Sequence, residues 1–247
     1  MRQLGIATIA LVATLGLAAT GVHAATANSD VGANASTADL PAANAQATNN
    51  GQNEDATAAR QLVSDAQKTV TELKSDQKFA NYMEQAKGIF ILPTVVKGSL
   101  IVGGQGGQGV FLVHKNGHWS NPAFFSLGAI SIGAQAGGAA GPMAFLLMTD
   151  KAVNDFLDNN NFSFNANAGF TIVTYSARGQ ASVGKGDIIL WSNMSGLQGS
   201  LNVSATDIVR NSGEDQAFYG RKATTKQIVA GQVSNPDADK LRSELPA

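Results

Sequence analysis

Residues 88–149 contain neither Asp nor Glu, and their only permanently charged side chains are Lys97 and Lys115. The segment consists of short apolar runs separated by Gly, Pro and Asn, which is the pattern of β-strands and tight turns. A segment without carboxylates lacks the groups that most often act as acid and base beside histidine. We therefore expect this part of the chain to form a sheet-rich core and not an active site.

The beginning of the chain has the pattern of a signal peptide. Arg2 provides the positive charge, residues 4–19 are apolar, and Ala24 is the small residue that a signal peptidase accepts. The apolar run is shorter and richer in Ala and Gly than a membrane span of about 20 apolar residues. We predict that residues 1–24 are removed and that the protein is exported, either to the periplasm or out of the cell.

Composition changes again after the predicted signal peptide. Residues 25–54 are mainly Ala, Asn, Thr and Gln, with few large apolar side chains, and we predict a disordered linker. The folded domain is expected over residues 55–247.

The chain has no Cys, so neither disulfides nor a cysteine-linked lipid can support it. Without Arg2 it carries sixteen basic and eighteen acidic side chains, which argues against nucleic-acid binding.

Two helices are predicted at the start of this domain. The first begins near Asp55 or Thr57, and its apolar residues recur at helical spacing. That stripe is formed by Leu62, Ala66, Val70 and Leu73. The second helix follows a cap at Asp76 and contains Phe79, Tyr82 and Met83. Lys87-Gly88 ends the helical part.

Strands are predicted from Ile89 onward. The apolar runs are 89–92, 99–102, 110–114, 123–132 and 143–148, with a hairpin turn at Asn116-Gly117. A helix capped by Thr149 or Asp150 follows, and then strands at 170–175, 187–191 and 201–203. Two short helices are expected in the tail, at 225–229 and from Asn235-Pro236 to Glu244. These elements predict an α+β fold: a Gly-rich, largely antiparallel sheet or barrel-like core flanked by N-terminal, middle and C-terminal helices.

The glycine string at residues 103–109 fits the G-x-G-x-x-G pattern of dinucleotide sites. Such a site also needs a helix after the glycines and an acidic residue about 20 positions later. Here the apolar run continues as a strand, and the next acidic residue is Asp150. We therefore expect no nucleotide and no other cofactor. The glycines instead indicate a tight connection between strands or a close approach of another segment.

The remaining titratable residues do not form a catalytic or metal-binding pattern. His114 and His118 flank the predicted hairpin turn without nearby Cys, Asp or Glu, whereas zinc takes three or four protein ligands. No G-x-S-x-G motif is present. We predict that the protein is not an enzyme, that it holds no metal, and that both histidines lie at the surface of the hairpin.

Several ordered motifs resemble one known family. They are residues 86–93, Lys97-Gly98, 102–104, 107–110, 119–125, 131–137, 146–148 and Phe218-Tyr219-Gly220. Together they resemble the SYLF domain, also called the Ysc84 family, over roughly residues 58–230. The resemblance implies a lipid-binding domain without catalytic residues. Eukaryotic members bind phosphoinositides, partly through an N-terminal amphipathic helix, and some bind actin. Exported bacterial members resemble periplasmic or secreted lipid-binding proteins.

This resemblance leads to a functional hypothesis. We expect an exported protein that binds phospholipid or a phosphoinositide-like amphipath, with the acyl chains on an apolar sheet surface or in a cavity. Lys97, Lys87 and Lys115 are the predicted cations for the headgroup phosphate, with Lys97 as the first candidate. The alternative is a structural or cell-surface interaction module without a lipid ligand. An apolar pocket or patch would favour the first hypothesis, and a sealed core with a polar surface would favour the second.

Overall fold

The structure is a computed structural model that describes residues 42–99, 102–132, 137–164, 169–176, 186–193, 195–196 and 206–247. The chain divides into residues 1–40 and 41–247, and the fold described below is that of the second unit. Within the described ranges, no helix combines the length and the apolar character that crossing a membrane requires.

The described helices surround a central sheet. They are α1 (Ala42–Ser75), α2 (Gln77–Gln85), α3 (Asp150–Asp158), α4 (Ser212–Tyr219), α5 (Thr225–Val229) and α6 (Asp239–Glu244). A 3-10 turn at Pro236–Ala238 leads into α6. Thr149, Asn211 and Thr224 cap α3, α4 and α5 by accepting hydrogen bonds from backbone N–H groups of the first turn.

The described strands form one mixed sheet, strongly curled into a half-barrel. They are β1 (Gly88–Ser99), β2 (Val102–Lys115), β3 (His118–Trp119), β4 (Ala123–Ile132), β5 (Gly137–Leu147), β6 (Asn161–Ser163), β7 (Ile172–Ser176), β8 (Ile188–Ser192), β9 (Ser195–Gly196) and β10 (Thr206–Arg210). Their order is β6-β10-β4-β2-β1-β5-β8-β7, with β3 beside β2 and β9 beside β5. Among these described pairs, only β7 and β8 are parallel. The predicted α+β fold with a largely antiparallel, helix-flanked sheet is confirmed.

The sheet is buried on both faces, which explains why its strands are continuously apolar instead of alternating. On one face, β1 contributes Ile89 and Ile91 to a core covered by α1, α2, α4 and α6. On the other face, Phe90 and Leu92 join a second core covered by α3 and α5. We call these the helix-side core and the phenylalanine core.

Phe156 of α3 is the centre of the phenylalanine core. Its ring stacks on Phe111 with 4.2 Å between centroids, and Phe125 meets it edge-on at 4.9 Å. Phe90, Phe162 and Phe164 complete its neighbours. Edge-on and stacked rings are favourable aromatic geometries, so this packing contributes to holding α3 against the sheet.

A β-bulge in β1 determines where glycine is required. Ile91 pairs with Val110 and Thr94 with Gln108, so two residues of β1, including Pro93, oppose Gly109 alone. A Cβ on Gly109 would lie 2.3 Å from the carbonyl oxygen of Ile91. The glycine string lies inside β2 and not at a connection between strands. Of the two predicted roles for these glycines, the structure shows the second at Gly109, which is a close approach of another segment.

Several predicted boundaries differ from those observed. Helix α1 begins at Ala42, inside the segment predicted as a linker, and from residue 53 onward its first buried residue is Ala59. The apolar runs 89–92 and 99–102 are not separate strands. Strand β1 is continuous to Ser99, and residues 100–101 lie outside the described ranges. The predicted strand 201–203 also lies outside them.

Helix α4 and the short strands β6 and β10 were not predicted from the sequence. The signals for α4 are local: Asn211 caps its start, and Gly220 ends it with φ 68°, the left-handed conformation common after helices. The two strands carry few apolar residues. Their pairing with each other and with β4 comes from register in the folded sheet, which no local pattern reveals.

Candidate binding sites

The three lysines predicted to bind a headgroup lie at two different ends of the sheet. Lys87 precedes β1 and Lys115 ends β2, and the pairing of Gly88 with Val113 places both at one end. Lys97 lies nine positions further along β1, which at roughly 3.3 Å per residue is about 30 Å from Gly88. One headgroup therefore cannot contact all three. The side chain of Lys97 lies outside the described part of the structure.

Lys87 already has an anionic partner. Its ammonium group lies 2.5 Å from the carboxylate of Asp150, the first residue of α3, and both side chains are largely exposed. Lys115 is exposed, and among the described residues no carboxylate forms an ion pair with it. Of the two lysines at this end of the sheet, Lys115 is the one whose charge is not offset.

At the Lys97 end, the sheet extends beyond its helix cover. Gly128, Gly106, Val96 and Ala140 stand opposite one another on β4, β2, β1 and β5. Directly paired residues of neighbouring strands share a face of the sheet. All four are exposed, and Val96 is 58% exposed, the largest value among the described large apolar side chains. We call these four residues the glycine surface.

The glycine surface is bordered by a half-buried acid. Glu214 of α4 forms a hydrogen bond with Gln108, two residues from Gly106 on β2. Burial raises the pKa of Glu214, and the negative charges of Asp215 and Asp55 raise it further. One carboxylate oxygen of Glu214 is buried without a hydrogen-bond partner among the described groups.

A second feature is a pocket at the other end of the sheet, which we call the hairpin pocket. It has a volume of about 220 Å³ and lies between the β2–β3 hairpin, the end of α5 and α6. Its basic lining residues are Lys115, His118 and Arg242. Arg242 is oriented by donating from Nε to the carbonyl oxygen of Trp119 at 3.0 Å. Arg242 was not predicted from the sequence, because more than a hundred residues separate it from the hairpin.

The hairpin itself matches its prediction. Asn116 and Gly117 have φ values of 54° and 72°, as the predicted turn requires. His118 is exposed as expected, whereas His114 is only partly exposed. The His114 ring stacks on Trp119 with 4.6 Å between centroids, its Nδ1 lies 3.2 Å from the carbonyl oxygen of Ala86, and its Nε2 is buried without a partner.

The described residues contain no group of three or more His, Asp or Glu side chains arranged to hold a metal ion. The most buried acid, Asp215, accepts hydrogen bonds from Arg210 and from the backbone of Phe124. These contacts give Asp215 a structural role, because they join α4 to the sheet.

The motifs that carried the family resemblance meet in space. The hydroxyl of Tyr219 donates to the carbonyl oxygen of Pro122 at 2.6 Å, and burial raises the pKa of that hydroxyl. The amide of Asn121 donates to Val233 at 2.7 Å. These contacts fasten the C-terminal helices to the loop before β4, so at these positions the motifs serve the fold.

These features define an α+β domain whose curled sheet is covered by helices on both faces. The sequence model of the Ysc84 family, described as "Las17-binding protein actin regulator", matches residues 128–247. The resemblance seen in the sequence, to the Ysc84 family or SYLF domain, is thereby confirmed over this part of the chain.

The curated relatives include proteins of fungi and mammals. The chain is 28% identical to Protein YSC84 of Saccharomyces cerevisiae, over 66% of this chain and 36% of that protein. It is 26% identical to LAS seventeen-binding protein 3 of the same species, over 63% and 35%. It is 23% identical to SH3 domain-containing YSC84-like protein 1 of Rattus norvegicus, over 64% and 47%. The chain thus spans between a third and a half of the length of these relatives.

Proposed function

We propose that this domain is a non-enzymatic module that binds phospholipid membranes at their surface, through the glycine surface. The observation that carries the proposal is Val96, a large apolar side chain that is 58% exposed among three small residues on neighbouring strands. The apolar residues of such a surface lose water on contact with a membrane, and the acidic residue Asp207, opposite Gly128 on β10, lies at its border.

The fold favours attachment to a membrane over enclosure of a whole lipid. The large side chains of both cores are packed against one another, and the largest of them are less than 2% exposed. Acyl chains would have to displace this packing, which is costly in a close-packed interior. The glycine surface is small, so we expect binding to be weak and reversible.

Flotation with vesicles tests this function. Vesicles of phosphatidylcholine with phosphatidylglycerol should carry the wild-type protein upward in a density gradient. Val96→Glu should reduce the floated fraction at least about fivefold, because it places a charge where apolar contact is expected. Val209→Glu is the matched control, since Val209 is a 43% exposed strand valine outside the glycine surface. Circular dichroism checks that both variants are folded.

Two results would contradict the proposal. Wild-type protein that stays at the bottom of the gradient with every vesicle composition removes phospholipid binding as its function. Equal flotation of Val96→Glu and Val209→Glu would contradict the role of the glycine surface. Membrane binding would then remain the function, and another surface would perform it.

A second candidate is a protein-binding module. It is favoured by the relatives, because one is named for binding LAS seventeen and the family is described as an actin regulator. Co-sedimentation with purified filamentous actin tests it directly. Saturable co-sedimentation together with absent flotation would favour this candidate over phospholipid binding.

A further inference from the structure

The hairpin pocket brings together cations from distant parts of the chain. Lys115 and His118 come from the two sides of the β2–β3 turn, and Arg242 comes from α6. The residues that line the pocket include no Asp and no Glu. All charged side chains that line the pocket are therefore positive. An ion-pair network that only stabilises the fold would contain carboxylates as well.

Lys115 differs in its ion pairing from several other lysines among the described residues. Lys68, Lys74, Lys87 and Lys226 each pair with a carboxylate. Lys115 does not, although it lies on a pocket. Arg242 shares one N–H group with the exposed Asp239 at 3.3 Å. The guanidinium has five N–H groups in all, and within the described ranges of the chain only Trp119 and Asp239 accept hydrogen bonds from them.

The size and the lining of the pocket limit what it can hold. A volume of about 220 Å³ is below the roughly 300–1,000 Å³ of sites that enclose drug-sized ligands. A phosphate group with a short organic part fits a pocket of this smaller volume, whereas an acyl chain does not. Val113, Trp119 and Val229 supply an apolar wall for the organic part.

We infer that the hairpin pocket binds the phosphate group of a small phosphate monoester, with Lys115 and Arg242 as the cations that hold it. Charge-assisted hydrogen bonds from ammonium and guanidinium groups to phosphate oxygens are the strong interactions of such sites. His118 adds a third positive charge in its protonated form. This site is separate from the glycine surface and lies at the opposite end of the sheet.

Isothermal titration with glycerol 3-phosphate and with inorganic phosphate tests the site. Lys115→Gln should weaken binding about tenfold, the effect of losing one charge-assisted contact. Lys222→Gln is the matched control, because Lys222 is another exposed lysine without a carboxylate partner among the described residues, and it does not line the pocket. The control should bind as the wild type does.

Tryptophan fluorescence locates the bound phosphate independently. The chain has two tryptophans, and Trp119 lines the pocket while Trp191 is 1% exposed in the core. In a Trp191→Phe background, glycerol 3-phosphate should change the emission of Trp119 over the same concentration range as in the titration. The inference is overturned by absence of binding at millimolar phosphate, or by equal losses in Lys115→Gln and Lys222→Gln.

Vesicles distinguish a lipid source of the phosphate from a soluble one. If Lys115→Gln weakens the capture of phosphatidic acid vesicles and glycerol 3-phosphate competes for it, the ligand is a lipid headgroup. If only the soluble monoesters respond to Lys115→Gln, the ligand is soluble. Neither result depends on Val96, so failure of this site and failure of membrane binding through the glycine surface are separable.

Discussion

The carboxylate of Asp215 accepts hydrogen bonds from Nε and Nη2 of Arg210 at 3.0 and 2.7 Å, and its side chain is only 1% exposed. The same carboxylate accepts the backbone N–H of Phe124 at 3.0 Å. Arg210 ends β10, Asp215 lies in α4, and Phe124 lies in β4. This pair therefore holds α4 against two strands at a position closed to water.

Arg210→Met should destabilise the domain strongly. It leaves the buried carboxylate of Asp215 without its cation, which typically costs about 3–5 kcal/mol. Urea unfolding followed by circular dichroism measures the free energy of unfolding. The double variant Arg210→Met, Asp215→Leu should recover part of the loss, because it removes the unpaired charge as well. A single variant that loses less than about 1 kcal/mol would contradict the structural role given to this pair.

The glycines of β2 and β4 should differ sharply in their tolerance of alanine. In Gly109→Ala, the new Cβ would meet the carbonyl oxygen of Ile91 at 2.3 Å, so the backbone at the bulge must shift. We expect a loss of about 1–3 kcal/mol in the free energy of unfolding. Gly128→Ala is the control, because a Cβ there meets nothing within 4 Å. It should stay within about 0.5 kcal/mol of the wild type, and equal losses in the two variants would show that the close approach is not what requires Gly109.

Glu214 should make stability depend on pH. Burial, together with the charges of Asp215 and Asp55, raises its pKa above the ordinary value of 4.5, so the folded protein holds this proton more tightly than the unfolded chain. Its contribution to stability is therefore complete below about pH 4.5 and is lost as the pH rises through the higher pKa of the folded state.

The variant Glu214→Gln should remove this dependence. Its free energy of unfolding, relative to that of the wild type, should increase as the pH rises from acidic to neutral values. Urea unfolding at a series of pH values measures the difference. Glu84→Gln, at an exposed position of α2, should show no such trend. A difference between Glu214→Gln and the wild type that stays constant with pH would contradict the raised pKa.

Lys87→Gln should have little effect on either stability or membrane binding. The ammonium group of Lys87 is engaged by Asp150 at the protein surface, and exposed ion pairs contribute at most about 1 kcal/mol. Thermal unfolding and vesicle flotation measure the two effects. A large drop in flotation would show that Lys87 leaves Asp150 to bind the headgroup, as first predicted from the sequence.

Local sequence patterns predicted most of the elements correctly. Thr149 caps α3, α5 spans Thr225–Val229, β4 spans Ala123–Ile132, and Asn116-Gly117 forms the turn. The cap and the turn depend on side chains that act on their own backbone within a few residues, and β4 was recognisable from its continuous apolar run, although its pairing with β2 and β10 is long-range. The order of several motifs also determined the family, which the match over residues 128–247 confirms.

Long-range relationships were not predictable in the same way. The bulge that requires Gly109 depends on how β1 aligns with β2, and the hairpin pocket depends on α6 returning to Trp119. The alternating sides of β1, with Ile89 in one core and Phe90 in the other, were hidden because both faces are apolar. The sequence by itself determined the local elements and the family, since these follow from neighbouring residues. Only the tertiary structure decided that Lys97 and Lys115 lie at opposite ends of the sheet, because strand register, and not sequence distance, places side chains together.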